Sequence, residues 1–193
     1  MKLRMGLLSA VAVMMLAGVS NAAELKSGPQ PGQKVKFFLV EKVGGTEADG
    51  VKVGKKLCYR CKNMVGPQVI IFSRGKSEAV AKLAAGLDEL VKKNGEGKRG
   101  ELRGFVNFIG EDREEAVETA KDFAKANKLK MLPAVVPNEF ENGPGDYGLN
   151  AKANVTVIIA EKGGKVVASH AFDKFESEAA KAVVKDISAK LVK

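Results

Sequence analysis

Residues 68–73, with the sequence Gln-Val-Ile-Ile-Phe-Ser, most strongly constrain the fold of this chain. A compact run of β-branched and aromatic residues is typical of a strand that is buried on both faces. Residues 77–93 repeat apolar side chains at helical spacing, with Ser77 placed to cap the helix and Asn94 and Gly95 placed to end it. The core is therefore predicted to contain a buried strand followed by a helix that packs on a sheet.

The other core elements are predicted from the same hydrophobic periods. Strands are expected at residues 35–40, 104–109, 133–136, 155–160 and 165–170, and helices at residues 114–127 and 175–192. Residues 161–164, Glu-Lys-Gly-Gly, join the last two strands as a β-hairpin turn. This order predicts one α/β domain with a mixed central sheet and helices on both faces.

The only two cysteines, Cys58 and Cys61, form a Cys-x-x-Cys pair within residues 44–66, a glycine- and lysine-rich stretch predicted to be an extended loop or hairpin. Basic residues crowd the pair: Lys55, Lys56, Arg60 and Lys62. Cations near a thiol favour its thiolate form, so an exposed pair would be reactive. Three interpretations stay open from the residues: a structural disulfide, a redox-exchanging pair, or half of a metal site shared with another molecule.

The first 22 residues have the features of a signal peptide. Lys2 and Arg4 precede an apolar run at residues 5–18, and small residues lead to a cleavage position after Ala22. The run is shorter than the roughly 20 residues that span a bilayer, and no later segment is predicted to be a membrane helix. We therefore expect an exported protein, periplasmic or extracellular, without a stable membrane span once residues 1–22 are removed.

Charge and ligand-forming residues limit the function classes further. The formal net charge is +9, and removal of Lys2 and Arg4 with the signal peptide leaves +7, spread over many lysines rather than gathered on one element. We find no nucleic-acid-binding module and expect no nucleic-acid partner. With His170 as the only histidine, the chain lacks the four ligands of a self-contained Cys/His zinc site, so we expect neither a metal nor a cofactor.

Two segments carry a family resemblance. One is residues 69–72, Val-Ile-Ile-Phe, followed by the helix; the other is residues 147–149, Tyr-Gly-Leu, leading through Ala153 into residues 155–159 and the Gly-Gly turn. Over residues 35–193 the chain resembles the thioredoxin superfamily, in its peroxiredoxin-like and exported thiol-disulfide oxidoreductase branch. The resemblance implies a three-layer sandwich. The chain also resembles exported bacterial proteins with a Leu-Cys-Tyr-Arg-Cys segment, a likeness that implies no activity.

The chain departs from this family at its reactive centre. The family places its cysteine just after the first core strand, where this chain has residues 73–77 without a cysteine. The family's cis-proline before the hairpin is replaced by Ala153 and Asn154, and the peroxidase motif is missing. An ordinary thioredoxin mechanism and a peroxidase are therefore not expected. Whether the vacated segment binds anything, such as an anion held by Arg74 and Lys76, stays open.

Two functions follow. The first is a thiol-disulfide oxidoreductase or redox carrier that uses Cys58 and Cys61, with attack assigned to Cys58. The second is a non-catalytic binding or scaffold protein in which the same pair is a structural disulfide. The expected partner is another envelope protein that bears thiols or an acidic surface. Residues 23–34, which contain several prolines and glycines, are predicted to be an irregular lead-in to a domain at residues 35–193.

Overall fold

The structure is a computed structural model that describes residues 25–95 and 101–192. The predicted signal peptide, residues 1–22, lies outside these ranges. Within them, no helix is both long enough and apolar enough to cross a membrane. Residues 25–34 form no helix or strand beyond a single isolated bridge between Lys34 and Lys165.

A seven-stranded mixed sheet forms the centre of the domain. Its strands are β1 (Val40–Gly45), β2 (Lys56–Leu57), β3 (Gln68–Ser73), β4 (Arg103–Phe108), β5 (Pro133–Pro137), β6 (Val155–Ala160) and β7 (Val166–Phe172). The spatial order is β2-β1-β5-β4-β3-β6-β7. Strand β4 runs parallel to β3 and β5, while the other neighbouring pairs are antiparallel. The prediction of an α/β fold with a mixed sheet is confirmed.

The three long helices pack on one face of this sheet, which we call the first face. They are α2 (Glu78–Gly95), α3 (Arg113–Asn127) and α4 (Ser177–Leu191), and their apolar sides share one core with alternate residues of β3, β4 and β6. Two of them begin at side-chain caps, because the Ser77 hydroxyl accepts the N–H of Val80 and the Asp112 carboxylate accepts the N–H of Glu115. The predicted helices are therefore present with ends shifted by one or two residues.

The opposite, second face is covered mainly by irregular chain. In the described part of the protein, the helical cover of this face consists of α1 (Tyr59–Lys62) and one 3-10 turn (Gly145–Tyr147). The lead-in is fastened there by a hydrogen bond of 2.7 Å between the hydroxyls of Ser27 and Thr156. Helices therefore lie on both faces as predicted, and those of the second face are short.

The first predicted strand is also displaced along the chain. Residues 35–39 lie outside any strand, and β1 begins only at Val40. Val35 and Phe38, three residues apart, both enter the second-face core, whereas Phe37 is 61% exposed. This spacing breaks the alternation that a strand requires, because side chains two residues apart in a strand share a face.

Candidate functional site

Cys58 and Cys61 form a disulfide at α1 on the second face of the sheet. Their Cα atoms are 5.3 Å apart. Cys58 is the N-cap residue of the helical turn, and its Sγ accepts the backbone N–H of Cys61 at 3.1 Å. Cys61 is exposed and Cys58 is half-buried. The disulfide bond between the two residues is therefore present, and one of its two residues is open to a partner.

Tyr59, between the two cysteines, anchors this turn to the sheet. Its ring is buried and stacks on Phe105 of β4 with 5.5 Å between centroids. Its hydroxyl donates a hydrogen bond to Oδ2 of Asp49. Burial first, and then the hydrogen bond and negative charge of Asp49, raise the pKa of Tyr59 well above its usual range. The phenol is therefore held as a neutral donor.

Asp49 is in turn held by Lys42 of β1, whose side chain is 0% exposed. The Lys42 ammonium donates to Oδ1 of Asp49 at 2.8 Å, to the carbonyl of Val51 at 2.6 Å, and to the carbonyl of Thr46. An ammonium has three donors, so each N–H of this buried charge has an acceptor. We call the three side chains Lys42, Asp49 and Tyr59 the anchoring network. It connects the disulfide turn to β1.

Arg60 fastens the other side of the turn. Its Nε donates to the carbonyl of Val35 at 3.0 Å, and its guanidinium contacts the Met64 sulfur at 3.2 Å. The Met64 carbonyl accepts the N–H of Gly163 at 3.3 Å, in the β6–β7 turn. The segment that carries the disulfide is thus held between Val35 and the β6–β7 turn. The guanidinium of Arg60 is partly occupied by these structural contacts.

These contacts place the disulfide toward the amino end of β3. Gln68, the first residue of β3, pairs with Ala160 just before the β6–β7 turn, and its Nε2 lies 3.5 Å from the carbonyl of Arg60. Ser73, at the other end of the strand, is about 17 Å away along five residue steps. The sequence left open which edge of the sheet Cys58 and Cys61 would reach. In the structure they lie near the edge opposite residues 73–77.

The segment that carries the disulfide has charged side chains of one sign only. The charged residues between Val51 and Pro67 are all basic: Lys52, Lys55, Lys56, Arg60 and Lys62. All four lysines are exposed. The basic crowding predicted from the sequence is therefore a positively charged surface next to the exposed Cys61.

Residues 73–77 border a cavity of about 400 Å³ between the end of β3 and the start of α2. Arg74 lies beside it but is used internally, donating from Nε to the carbonyl of Ala153 at 3.2 Å and from a terminal nitrogen to the carbonyl of Glu141 at 3.1 Å. Burial lowers its pKa. Lys76 forms an exposed ion pair with Asp122 at 2.9 Å. Both cations that the sequence suggested for an anion site are thus engaged with the protein.

The remaining candidate ligands are dispersed. His170 lies on β7, where its Nε2 is 2.9 Å from Oδ2 of Asp186 on α4, on the helical side of the domain. In residues 25–95 and 101–192, no three His, Cys, Asp or Glu side chains are grouped closely enough to hold a metal ion.

Comparison with known proteins adds information at the level of fold. No protein-family model matches the chain, and no curated protein matches it in sequence. The putative thiol:disulfide interchange protein DsbE from Chlorobium tepidum superposes with a TM-score of 0.56 at 15% identity, covering 82% of this chain and 96% of that one. A putative protein disulfide isomerase from Bacteroides thetaiotaomicron gives 0.56 at 15% identity, covering 88% and 96%.

A third structure, the peroxidoxin BcpB from Mycobacterium tuberculosis, gives a TM-score of 0.51 at 15% identity, covering 83% of this chain and 97% of that one. The chain has a thioredoxin-like fold. The resemblance drawn from the sequence is thereby confirmed for the architecture. Within this thioredoxin-like fold, residues 73–77 and the Cys58–Cys61 disulfide lie toward opposite ends of the central strand β3.

Sequence reasoning found the cysteine pair and its basic surroundings but missed the anchoring network. Lys42 looks like any surface lysine in the sequence, and Asp49 lies in a glycine-rich loop. One pattern could have indicated an internal role: Lys42 lies two residues after Val40, and side chains two apart in a strand share a face. The burial of that lysine depends on the loop folding back over β1, which residue periodicity does not encode.

Proposed function

We propose that this chain is an exported thiol-disulfide oxidoreductase or redox carrier that uses Cys58 and Cys61. One observation carries the proposal: neither cysteine is buried, since Cys61 is exposed and Cys58 is half-buried, while the turn that bears them is fixed from beneath by Tyr59. Disulfide exchange needs a sulfur that a partner can reach and a geometry that both oxidation states can retain. The basic surroundings favour thiolates, which are the reactive species.

The exchange runs in two steps. In the reduced protein the Cys58 thiolate attacks one sulfur of a partner disulfide, forming a mixed disulfide and releasing the partner's other sulfur as a thiolate. The Cys61 thiolate then attacks the Cys58 sulfur, releasing the second partner thiol and closing the disulfide. Two electrons pass from the protein to the partner. We assign attack to Cys58 because its Sγ accepts the N–H of Cys61, a contact that stabilises negative charge on sulfur.

The names of the fold neighbours agree with this chemistry. Two of them are named as a putative thiol:disulfide interchange protein and a putative protein disulfide isomerase. Export supports it as well, because disulfides persist in oxidising compartments. The predicted signal peptide can be tested by expressing the full chain in bacteria, fractionating the cells, and reading the mature amino terminus by mass spectrometry. A mature chain that begins at Ala23 in the periplasm or medium is the expected result.

The activity is tested by titrating the mature protein against a dithiol redox buffer. In parallel, reduction of the small uncharged disulfide 2-hydroxyethyl disulfide is compared between the wild type and the double variant Cys58→Ser, Cys61→Ser. We expect a potential above about −300 mV and activity that the double variant lacks. A strongly reducing potential together with equal rates for the two proteins would contradict the proposal.

A specific observation favours a second candidate, a non-catalytic binding or scaffold protein with a structural disulfide. The pair lies at the opposite end of β3 from the superfamily's reactive position. In this case the double serine variant would unfold more easily but retain every interaction of the wild type. Pull-down of envelope proteins by both forms under non-reducing conditions separates the candidates, because a scaffold retains its partners without the cysteines.

A further inference from the structure

Three apolar side chains are exposed on the disulfide segment and on the segment that Arg60 contacts. Met64 and Val65 follow it within four residues and are 45% and 56% exposed. Phe37, 61% exposed, lies two residues beyond the Val35 carbonyl to which Arg60 donates. Since Arg60 also contacts Met64, the segment containing Phe37 runs beside the disulfide segment on the outer side of the second face. Apolar side chains clustered at one place indicate an interaction surface more strongly than scattered ones.

The same surface is positively charged. Lys55 and Lys56 directly precede the disulfide turn and Lys62 ends it, and all three are exposed. We call the set formed by Phe37, Lys55, Lys56, Lys62, Met64 and Val65 the docking surface. Because the sequence from Val51 to Pro67 contains no acidic residue, this segment supplies no carboxylate of its own to neutralise these lysines. Glu41 of β1 lies opposite Lys56 but is paired with Arg113, so an acidic partner would complement these lysines.

We propose that the docking surface binds an acidic polypeptide segment that carries apolar residues beside a cystine or cysteine. The inference rests on the proposed function and names the substrate class of the same disulfide. Lysines attract the acidic side chains and accelerate encounter, while Phe37, Met64 and Val65 supply the apolar contact that holds the segment beside Cys61.

Charge also argues against a second copy of this chain as the occupant. A two-fold contact would place Lys55, Lys56 and Lys62 of one copy against the same lysines of the other, and like charges across an interface are unfavourable. An anionic lipid surface matches the lysines and apolar side chains, but it offers no use for the disulfide that the same segment carries. The polypeptide is therefore the occupant that accounts for every exposed feature of this surface.

The test uses the reduced mature protein and synthetic peptides. Two peptides share one apolar-flanked cysteine held as a mixed disulfide with a chromogenic thiol, and differ only in carrying glutamates or lysines around it. Rate constants for release of the chromogenic thiol are measured at low and high salt. The glutamate peptide is expected to react at least about tenfold faster at low salt, and the difference is expected to shrink as salt screens the charges.

Charge reversal identifies the surface. The variant Lys55→Glu, Lys56→Glu, Lys62→Glu should lose the preference for the glutamate peptide or invert it. A matched control, Lys121→Glu, Lys130→Glu, Lys185→Glu, changes net charge equally at exposed lysines on α3, α4 and the loop after α3, and should retain the preference. Replacement of Phe37 and Val65 by serine should slow both peptides but leave reduction of 2-hydroxyethyl disulfide unchanged.

The outcomes separate the two proposals. If the wild type fails to reduce 2-hydroxyethyl disulfide, the proposed function fails, whatever the peptides show. If it reduces this small disulfide but treats the two peptides alike, or if both triple variants behave alike, only the docking proposal is overturned. Sedimentation with anionic phosphatidylglycerol vesicles is measured alongside. Binding to vesicles that the Lys55, Lys56 and Lys62 reversals abolish, without any peptide preference, identifies a lipid occupant and also overturns it.

Discussion

The hydroxyl of Tyr59 donates to the same carboxylate of Asp49 that pairs with a fully buried lysine. Tyr59 is flanked by Arg60 and the half-buried Cys58, so this bond connects the interior of the domain to the residue to which the proposed exchange assigns attack. The geometry makes Tyr59 the support of the disulfide turn. Changes in the anchoring network should therefore alter both stability and redox behaviour.

Tyr59→Phe should destabilise the oxidised protein by about 1–3 kcal/mol, because the substitution leaves a partly buried carboxylate oxygen of Asp49 without its donor. Urea unfolding measures the change. Tyr147→Phe is the matched control: it removes a hydroxyl that donates to the neutral carbonyl of Lys36 at 2.9 Å, for which about 0.5–1.5 kcal/mol is expected. Equal losses in the two variants would show that the charge of Asp49 gives its hydrogen bond no extra strength.

Lys42→Met should cost more, about 3–5 kcal/mol, since it removes one member of a buried ion pair and leaves Asp49 uncompensated. Lys82→Met is the control, because Lys82 pairs with Glu78 on the exposed side of α2 and such pairs contribute about 1 kcal/mol or less. Thermal and urea unfolding compare the variants. A small loss for Lys42→Met would mean that water reaches Asp49 in solution.

Both tyrosines of the chain should resist ionisation in the folded state. Burial is the largest cause that raises the pKa of Tyr59 and of Tyr147. Their stabilising contribution is complete below the unfolded pKa of about 10 and is lost as pH rises above it, at about 1.4 kcal/mol per pH unit for each tyrosine. Near-ultraviolet absorbance should show tyrosinate only together with unfolding. Tyrosinate formation in a chain that is still folded would contradict the burial of the rings.

Single cysteine variants should distinguish the two sulfurs. Cys61→Ser leaves Cys58 able to attack but removes the thiol that resolves the mixed disulfide, so it should accumulate stable adducts with partner disulfides. Cys58→Ser leaves an exposed thiol whose sulfur has no such N–H contact in the oxidised protein, and it should form adducts more slowly. Mass spectrometry of protein treated with glutathione disulfide measures both. Faster trapping by Cys58→Ser would reassign the attacking role to Cys61.

Much of the fold could be predicted because its core elements are defined by local patterns. Continuous apolar runs, as in β3 and β6, favour buried strands. Apolar residues at helical spacing, as in α2 and α3, favour helices with one side on the core. Strand β1 could not be placed, since it ends in Gly44 and Gly45, which resemble a loop. In the structure a Cβ at Gly44 would lie 2.9 Å from the Ala124 side chain, and one at Gly45 would lie closer still to the Leu132 carbonyl. The need for glycine at these two positions therefore comes from close contacts with α3 and with the start of β5, which lie far along the chain.

The candidate site also has a part that could be predicted from the sequence and a part that could not. Cys58, Cys61 and the surrounding lysines are neighbours in sequence, so their proximity could be read directly. The support from Lys42 and the contact of Arg60 with Val35 join positions separated by many residues, and only tertiary packing brings them together. The irregular chain that covers much of the second face could not be placed for a related reason: it has no periodic pattern.

The disulfide ring spans only four residues, and the contacts that hold its turn, through Tyr59 and Arg60, do not pass through the sulfur atoms. Closing so short a ring contributes only about 2 kcal/mol in the loop-entropy description. Thermodynamic linkage between folding and reduction is therefore weak. Reducing the disulfide should lower the free energy of unfolding by no more than about this amount. A substitution far from the turn that destabilises the domain should shift the thiol–disulfide equilibrium little. If the pair exchanges as proposed, we expect its reduction potential to depend mainly on the groups next to the turn, so that it can change while the rest of the domain stays the same.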